Sequence, residues 1–193
     1  MKDLKGVLCN TKLQNFGGEE YFEKCLEDDD WLKYVKVVFL GLPSVGKTSI
    51  ITLLSENRVV KSYDPTIGVD FGSLSIGECE ISLWDFAGQE RFRFLWDDFI
   101  RGAKVIFAVS DSTPKNVLQT RKIIDEIKQK TDAVIIGIAN KQDLPGAMKP
   151  SQVEGILEVP TYGMVAIDPR RRVKMYSILR QALEQAVLAV ANN

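Results

Sequence analysis

From Val35 onward, short apolar runs alternate with longer amphipathic stretches. Val35-Lys36-Val37-Val38-Phe39-Leu40 predicts a buried strand, and Lys47 to Leu54 the helix it feeds. Val69–Ile76 and Cys79–Trp84 predict two further strands joined by a tight turn at Gly77-Glu78. A helix near Phe92–Arg101, a strand at Val105–Val109 and a helix from about Lys115 to Lys130 follow, then the almost wholly apolar strand Ala133–Ala139. Ser151–Leu157 predicts a short helix, Met164–Ile167 a last short strand, and Arg171–Val190 a closing helix. This alternation predicts a three-layer α/β fold: a mostly parallel six-stranded sheet, one antiparallel edge strand, and helices on both faces. Ligands of such sheets bind at the carboxyl ends of the strands.

The first 32 residues follow a different pattern. Leu4, Val7 and Leu8 have helical spacing, as do Tyr21, Phe22, Cys25 and Leu26, with Gly17-Gly18 between the two groups. An acidic run, Glu27-Asp28-Asp29-Asp30, precedes Trp31. The pattern predicts a helical extension over 1–32 ahead of a single domain over 33–193. Its apolar faces either dock on that domain or meet a partner or membrane, and the acidic run disfavours the membrane.

Composition narrows the chemistry. The chain has 193 residues, 45% hydrophobic and 26% charged, the profile of an ordinary globular domain. A formal net charge of −1 gives no electrostatic reason to expect nucleic acid as a partner. There is no histidine, so catalysis must run on carboxylates, amides, cations, hydroxyls or a bound metal. Cys9, Cys25 and Cys79 are odd in number and form no C-x-x-C pair, which suits reduced thiols in the cytoplasm. No apolar run reaches the length of a membrane span, and neither end carries a lipidation signal, so no lipid anchor is expected.

Gly41-Leu42-Pro43-Ser44-Val45-Gly46-Lys47-Thr48 matches G-x-x-x-x-G-K-[ST] between a strand and a helix. Such a string should arise by chance in roughly one per cent of chains of this length. Its glycines allow close approach, so the segment Pro43-Ser44-Val45-Gly46-Lys47-Thr48-Ser49 is expected to bind the nucleotide, with backbone N–H groups after Pro43 cradling phosphate oxygens at the helix start. Lys47 is expected to reach the β- and γ-phosphates, and the Thr48 hydroxyl to bind Mg²⁺. Asp85-Phe86-Ala87-Gly88 ends an apolar strand. Asp85 is placed there to hold Mg²⁺, directly or through water, Gly88 to offer its N–H to the γ-phosphate, and Gln89 to orient a water. Thr66, in Asp64-Pro65-Thr66-Ile67-Gly68, is expected to add a second hydroxyl to Mg²⁺ while the γ-phosphate is present. Asn140-Lys141-Gln142-Asp143 follows the strand ending at Ala139. The Asp143 carboxylate can accept from both N1–H and the exocyclic amine of guanine, a donor pair that adenine lacks, so it points to GTP and GDP.

Together these residues resemble the Ras-like small GTPases, over about Tyr34 to Ala191, with the motifs in family order. Pro65-Thr66-Ile67-Gly68-Val69-Asp70-Phe71 and Gly88-Gln89-Glu90-Arg91-Phe92-Arg93 look like Rab proteins. Ala139-Asn140-Lys141-Gln142-Asp143-Leu144-Pro145-Gly146-Ala147-Met148 looks like Arf proteins. A blend of both is similar to small GTPases of prokaryotes, archaea especially. The resemblance implies a P-loop NTPase G domain that binds GTP or GDP with Mg²⁺ and works with effector, activating and exchange proteins. It gives Lys47 and Gln89 the catalytic roles and Thr48, Thr66 and Asp85 the metal. Asn140, Lys141 and Asp143 become the base-reading set. Val165-Ala166-Ile167 is the best counterpart of the family's S-A-K stretch, so Ala166 would supply a backbone amide, with Ile167 where that stretch has Lys.

Pro43 stands where the family usually has Gly, Ser or Asp, and a proline removes an N–H and fixes φ near −65°. No arginine finger is evident in cis: Arg58 and Lys61 precede Thr66, but neither sits where Gα proteins place theirs. The expected activity is slow, partner-stimulated GTP hydrolysis by a molecular switch. The alternative is a non-cycling subunit that holds GTP as a structural ligand for assembly.

Overall fold

The computed structural model describes residues 34–56, 58, 66, 68–76, 79–88 and 96–191. The expected helical extension, the Gly77-Glu78 turn, Gln89 and the start of the helix expected near Phe92 lie outside the described residues. In chain order the elements are β1 (Tyr34–Leu40), α1 (Lys47–Ser55), β2 (Val69–Ile76), β3 (Cys79–Phe86), α2 (Trp96–Phe99) and β4 (Val105–Ser110). They continue with α3 (Pro114–Ile127), β5 (Val134–Ala139), α4 (Pro150–Leu157), β6 (Thr161–Gly163), a 3₁₀ turn (Pro169–Arg171) and α5 (Arg172–Ala191).

The six strands form one sheet in the order β2-β3-β1-β4-β5-β6. Every pairing is parallel except β2 with β3, so β2 is the antiparallel edge strand. β4 is buried at every position, as a central parallel strand covered on both faces must be. β1 divides its side chains between two cores. Val35, Val37 and Phe39 pack with Ile50 and Leu54 of α1 and with Met175, Leu179 and Leu183 of α5. Val38 and Leu40 face the other way, with Trp96, Ile100, Ile123 and Ile127. A third cluster seats Val117 and Ile124 of α3 and Val153 and Leu157 of α4 over Ala108 and Ala139. Cys79 lies in the first core, where burial pushes its thiol up to about 11, so it acts as a small apolar residue.

This arrangement sets the site. β1 sits between β3 and β4, so the chain reverses its direction of travel across the sheet at β1. The crevice at such a switch point is where open α/β sheets bind ligands. The loop from Gly41 leaves β1 there, flanked by the ends of β3 and β5.

The last strand differs from the expectation. It is Thr161–Gly163, paired Gly137↔Thr161 and Ala139↔Gly163, and not Met164–Ile167. Met164 donates to the Ala139 carbonyl and accepts from the Gln142 amide, and the chain then turns, with Asp168 N donating to Val165 O. Met164 and Ala166 are buried, with Val165 half-buried between them, as part of a loop, because the Ala166 amide is taken by a side chain of another loop. Apolar character alone could not separate a short strand from a buried loop.

β6 can approach β5 because position 137 is glycine. A Cβ there would fall inside contact distance of Thr161 Oγ1 and 3.1 Å from Leu157 Cδ1. Gly137→Ala should therefore cost about 1–3 kcal/mol by overpacking. Thermal unfolding should show Tm lowered by about 2–4 °C per kcal/mol. An unchanged Tm would mean that β6 yields without cost.

Candidate nucleotide and metal site

The loop from Gly41 to Gly46 is held in conformations that need its glycines. Gly41 has φ +150°, and a side chain there would strike the Val109 carbonyl. Ser44 (φ +61°) and Gly46 (φ +99°) are both left-handed, which turns successive backbone amides toward a common concavity. Gly46 also N-caps α1, whose N-terminus has no side-chain cap and no acidic residue in its first turn. By contrast α3 is capped by Thr113 and α4 by the Lys149–Gln152 pair. A helix start with no side-chain cap and no acidic residue in its own first turn is suited to an anion. Pro43 and Ser44 are exposed at the tip of the loop, Val45 is buried beneath it, and Ser49 is half-buried one residue past Thr48.

Lys47 is buried, and its Nζ donates to the carbonyls of Gly41 (3.1 Å) and Leu42 (3.0 Å). Burial pushes its ammonium down to about 8, against the opposing pull of the Asp85 carboxylate. A cation so placed lacks a full counter-charge, which a polyphosphate would supply.

Three oxygen-bearing side chains converge beside it. Thr48 Oγ1 donates to Asp85 Oδ2 in a short hydrogen bond. Thr66 Oγ1 lies 3.3 Å from Thr48 Oγ1 and 3.4 Å from Asp85 Oδ2. Asp85 is only 2% exposed, and its Oδ1 is buried with no hydrogen-bond partner. Burial pushes its carboxyl up, opposed by the Thr48 hydrogen bond, the Lys47 charge and the Thr66 hydrogen bond. An orphaned buried carboxylate oxygen among two hydroxyls fits a hard cation. Among the described residues no group of three or more Cys, Asp or Glu gathers to hold a metal. One carboxylate with two hydroxyls suits Mg²⁺, which takes one or two carboxylates and completes its shell with phosphate and water.

Gly88 runs against the phosphate loop itself. A Cβ on it would lie 2.6 Å from the Gly41 carbonyl oxygen and 2.5 Å from the Pro43 nitrogen, both backbone atoms that cannot swing aside. The preceding residue, Ala87, donates its amide to Gly68 O at 2.9 Å, which ties the segment after Thr66 to the one after Asp85. Lys47, Thr48, Thr66, Asp85 and Gly88 thus belong to one constellation.

The base-reading candidates form a second constellation that shares the phosphate loop. Asn140 Nδ2 donates to Val45 O (2.8 Å), and Asn140 Oδ1 accepts from the Ala166 amide (3.0 Å). Lys141 is left-handed at φ +61° and half-buried; Asp143 and Ile167 are exposed at the rim. Sequence reasoning missed the support behind them. The buried Ser112, itself at φ +65°, donates from Oγ to Asn140 O at 2.6 Å. Gln142 Nε2 donates to Ser112 Oγ (2.8 Å) and to Met148 O (3.0 Å). Asp111-Ser112-Thr113-Pro114 reads locally as a helix cap, and nothing in it signals a partner 28 positions away.

Asn140→Ala would leave the buried Val45 carbonyl and Ala166 amide without these partners. Unmade buried hydrogen bonds cost about 1–3 kcal/mol each. Release of bound fluorescent GDP, followed by stopped flow, should therefore accelerate by about 10- to 100-fold. Release at the wild-type rate would show that the bridge does not support the site.

No described helix is long and apolar enough to cross a membrane. The model of the ADP-ribosylation factor family matches residues 22–192, a span that takes in every described residue and both constellations. This chain belongs to the ADP-ribosylation factor family, within the Ras-like small GTPases, and is a small GTP-binding protein of the P-loop fold.

Proposed function

We propose that the protein hydrolyses GTP slowly and acts as a nucleotide-dependent switch, with Thr66 as the residue that registers the γ-phosphate. The observation that carries this reading is the meeting of Thr66, Thr48 and Asp85 around an unpartnered buried carboxylate oxygen. Thr66 lies outside any helix or strand, so its place depends on what it binds. A ligand that removes or supplies one phosphate then decides whether that place is worth holding.

Lys47 and the α1 N-terminus bind and orient the triphosphate. Thr48, Thr66 and Asp85 would hold Mg²⁺, which would supply positive charge to offset that of the phosphates. Gln89 orients the attacking water, and Asp143, with Lys141, Asn140 and the Ala166–Ile167 segment, selects guanine. Turnover is slow because, among the described residues, the charge that develops on the phosphates has little help beyond Lys47. Arg58 is exposed and paired with Glu56. A partner protein is therefore expected to supply a cation, worth about 10³–10⁵ in rate. Phe71 of β2 is 61% exposed and stands edge-on to Trp84 at 4.7 Å, five residues past Thr66. It offers an effector an apolar contact beside the switch residue.

Single-turnover hydrolysis should be slow in the isolated protein and abolished by Gln89→Leu, with GTP binding retained. Equal rates for wild type and Gln89→Leu would favour the non-cycling assembly subunit. For the base, GDP with Mg²⁺ should raise Tm where ADP does not, and Asp143→Asn should erase the difference. A Tm increase of the same size with ADP would contradict the guanine assignment.

A further inference from the structure

The phosphate-binding helix α1 has two ends, and only one of them belongs to the site described above. At the other, the four carbonyls from Ile51 to Leu54 all have partners. Ser55 Oγ donates to Ile51 O at 2.8 Å, and the Glu56 amide to Thr52 O at 3.0 Å. Leu53 O and Leu54 O would normally be left to water. They are taken instead by α5. Arg172 donates from Nε to Leu53 O (3.0 Å) and from Nη2 to Leu54 O (3.0 Å). The Tyr176 hydroxyl donates to Leu54 O (3.1 Å) and accepts from Arg172 Nη2 (3.2 Å). The guanidinium carbon lies 5.0 Å from the centre of the Tyr176 ring, so the pair packs as one unit. α1 has no basic residue in its own last turn, and Arg172 supplies the cation that its negative pole favours.

What Arg172 is attached to gives this contact a consequence for the nucleotide. It is the first residue of α5, six positions after Ala166 in the base loop. The chain between them is stiff. Asp168 N donates to Val165 O (3.1 Å), Arg171 N to Asp168 O (2.9 Å), and Asp168 Oδ1 accepts from Arg170 N (3.0 Å). The Arg170 and Arg171 guanidiniums both pair with Asp168, which leaves Arg172 to reach α1. On the far side of the clamp lies Glu56, the end of α1, from which the chain departs toward Thr66.

We infer that Arg172 and Tyr176 are positioning residues for nucleotide retention. They fix the end of α1 against the base loop, so that Lys47 and Thr48 at its start are held in register with the guanine. Neither side chain touches the nucleotide. This inference rests on the GTP-binding reading proposed above. Without these two side chains, the ties among the described residues between α1 and the base loop are the Asn140 bridge and core packing, and the two halves of the site would loosen relative to each other.

The test uses the full chain loaded with fluorescently labelled GDP and chased with excess unlabelled GDP in Mg²⁺. Arg172→Met keeps the apolar stem and removes the donors; it should release GDP about tenfold faster. Tyr176→Phe should act in the same direction with a smaller effect, and Arg172→Lys should restore part of the wild-type rate. Ile127→Ala, in the core on the opposite face of the sheet from α1 and α5, is the control for lost stability alone. It should lower Tm at least as much as Arg172→Met and leave release near wild type. Arg172→Met releasing at the wild-type rate would overturn the inference, as would Ile127→Ala accelerating release equally. If the wild type retains no labelled GDP, the nucleotide assignment fails first and the clamp falls with it.

Discussion

The Asn140 side chain is the contact on which the site's geometry depends. One amide group satisfies a carbonyl of the phosphate loop and an amide of the base loop, at 2.8 and 3.0 Å. These two loops leave different strands, β1 and β6, that are not neighbours in the sheet. Without a shared partner each would bury an unpaired backbone group, which a native fold rarely tolerates. Asn140 is itself held by Ser112 and stands at the end of β5, a strand that pairs with β4 along its whole length. The rigid centre of the sheet is thereby carried out to the loops.

The loops so arranged enclose unbalanced charge. Lys47 is buried with two carbonyls for company, Asp85 has one buried oxygen with no partner, and α1 begins without a cap. Each of these is costly in isolation and each is relieved by the same kind of ligand, a polyphosphate carrying a hard divalent cation. The polar interior is complementary to what it binds, and stability of the empty fold is carried elsewhere, by the cores on either side of β1.

Much of this was legible in the sequence because the motifs are local and each follows an apolar strand. Gly41–Thr48, Asp85–Gly88 and Asn140–Asp143 lie at the ends of β1, β3 and β5, as the alternation of runs had implied. What escaped depends on contacts between distant positions. Met164–Ile167 has a strand's composition, but the Ala166 amide is claimed by Asn140 and the chain turns. Ser112 and Arg172 look like an ordinary turn residue and an ordinary surface cation, yet both reach across the fold to hold a loop or a helix end. Gln89 and the 1–32 extension lie outside the described residues, so their roles rest on the sequence alone.

The central claim is that Thr66 engages Mg²⁺ and the γ-phosphate in one nucleotide state and leaves them in the other. Hydrogen exchange compared between the GDP form and a non-hydrolysable GTP-analogue form tests it most directly. The account predicts added protection with the analogue over residues 58–76 and 85–95, with the cores on both faces of β1 unchanged. Identical exchange across those segments in the two forms would contradict it.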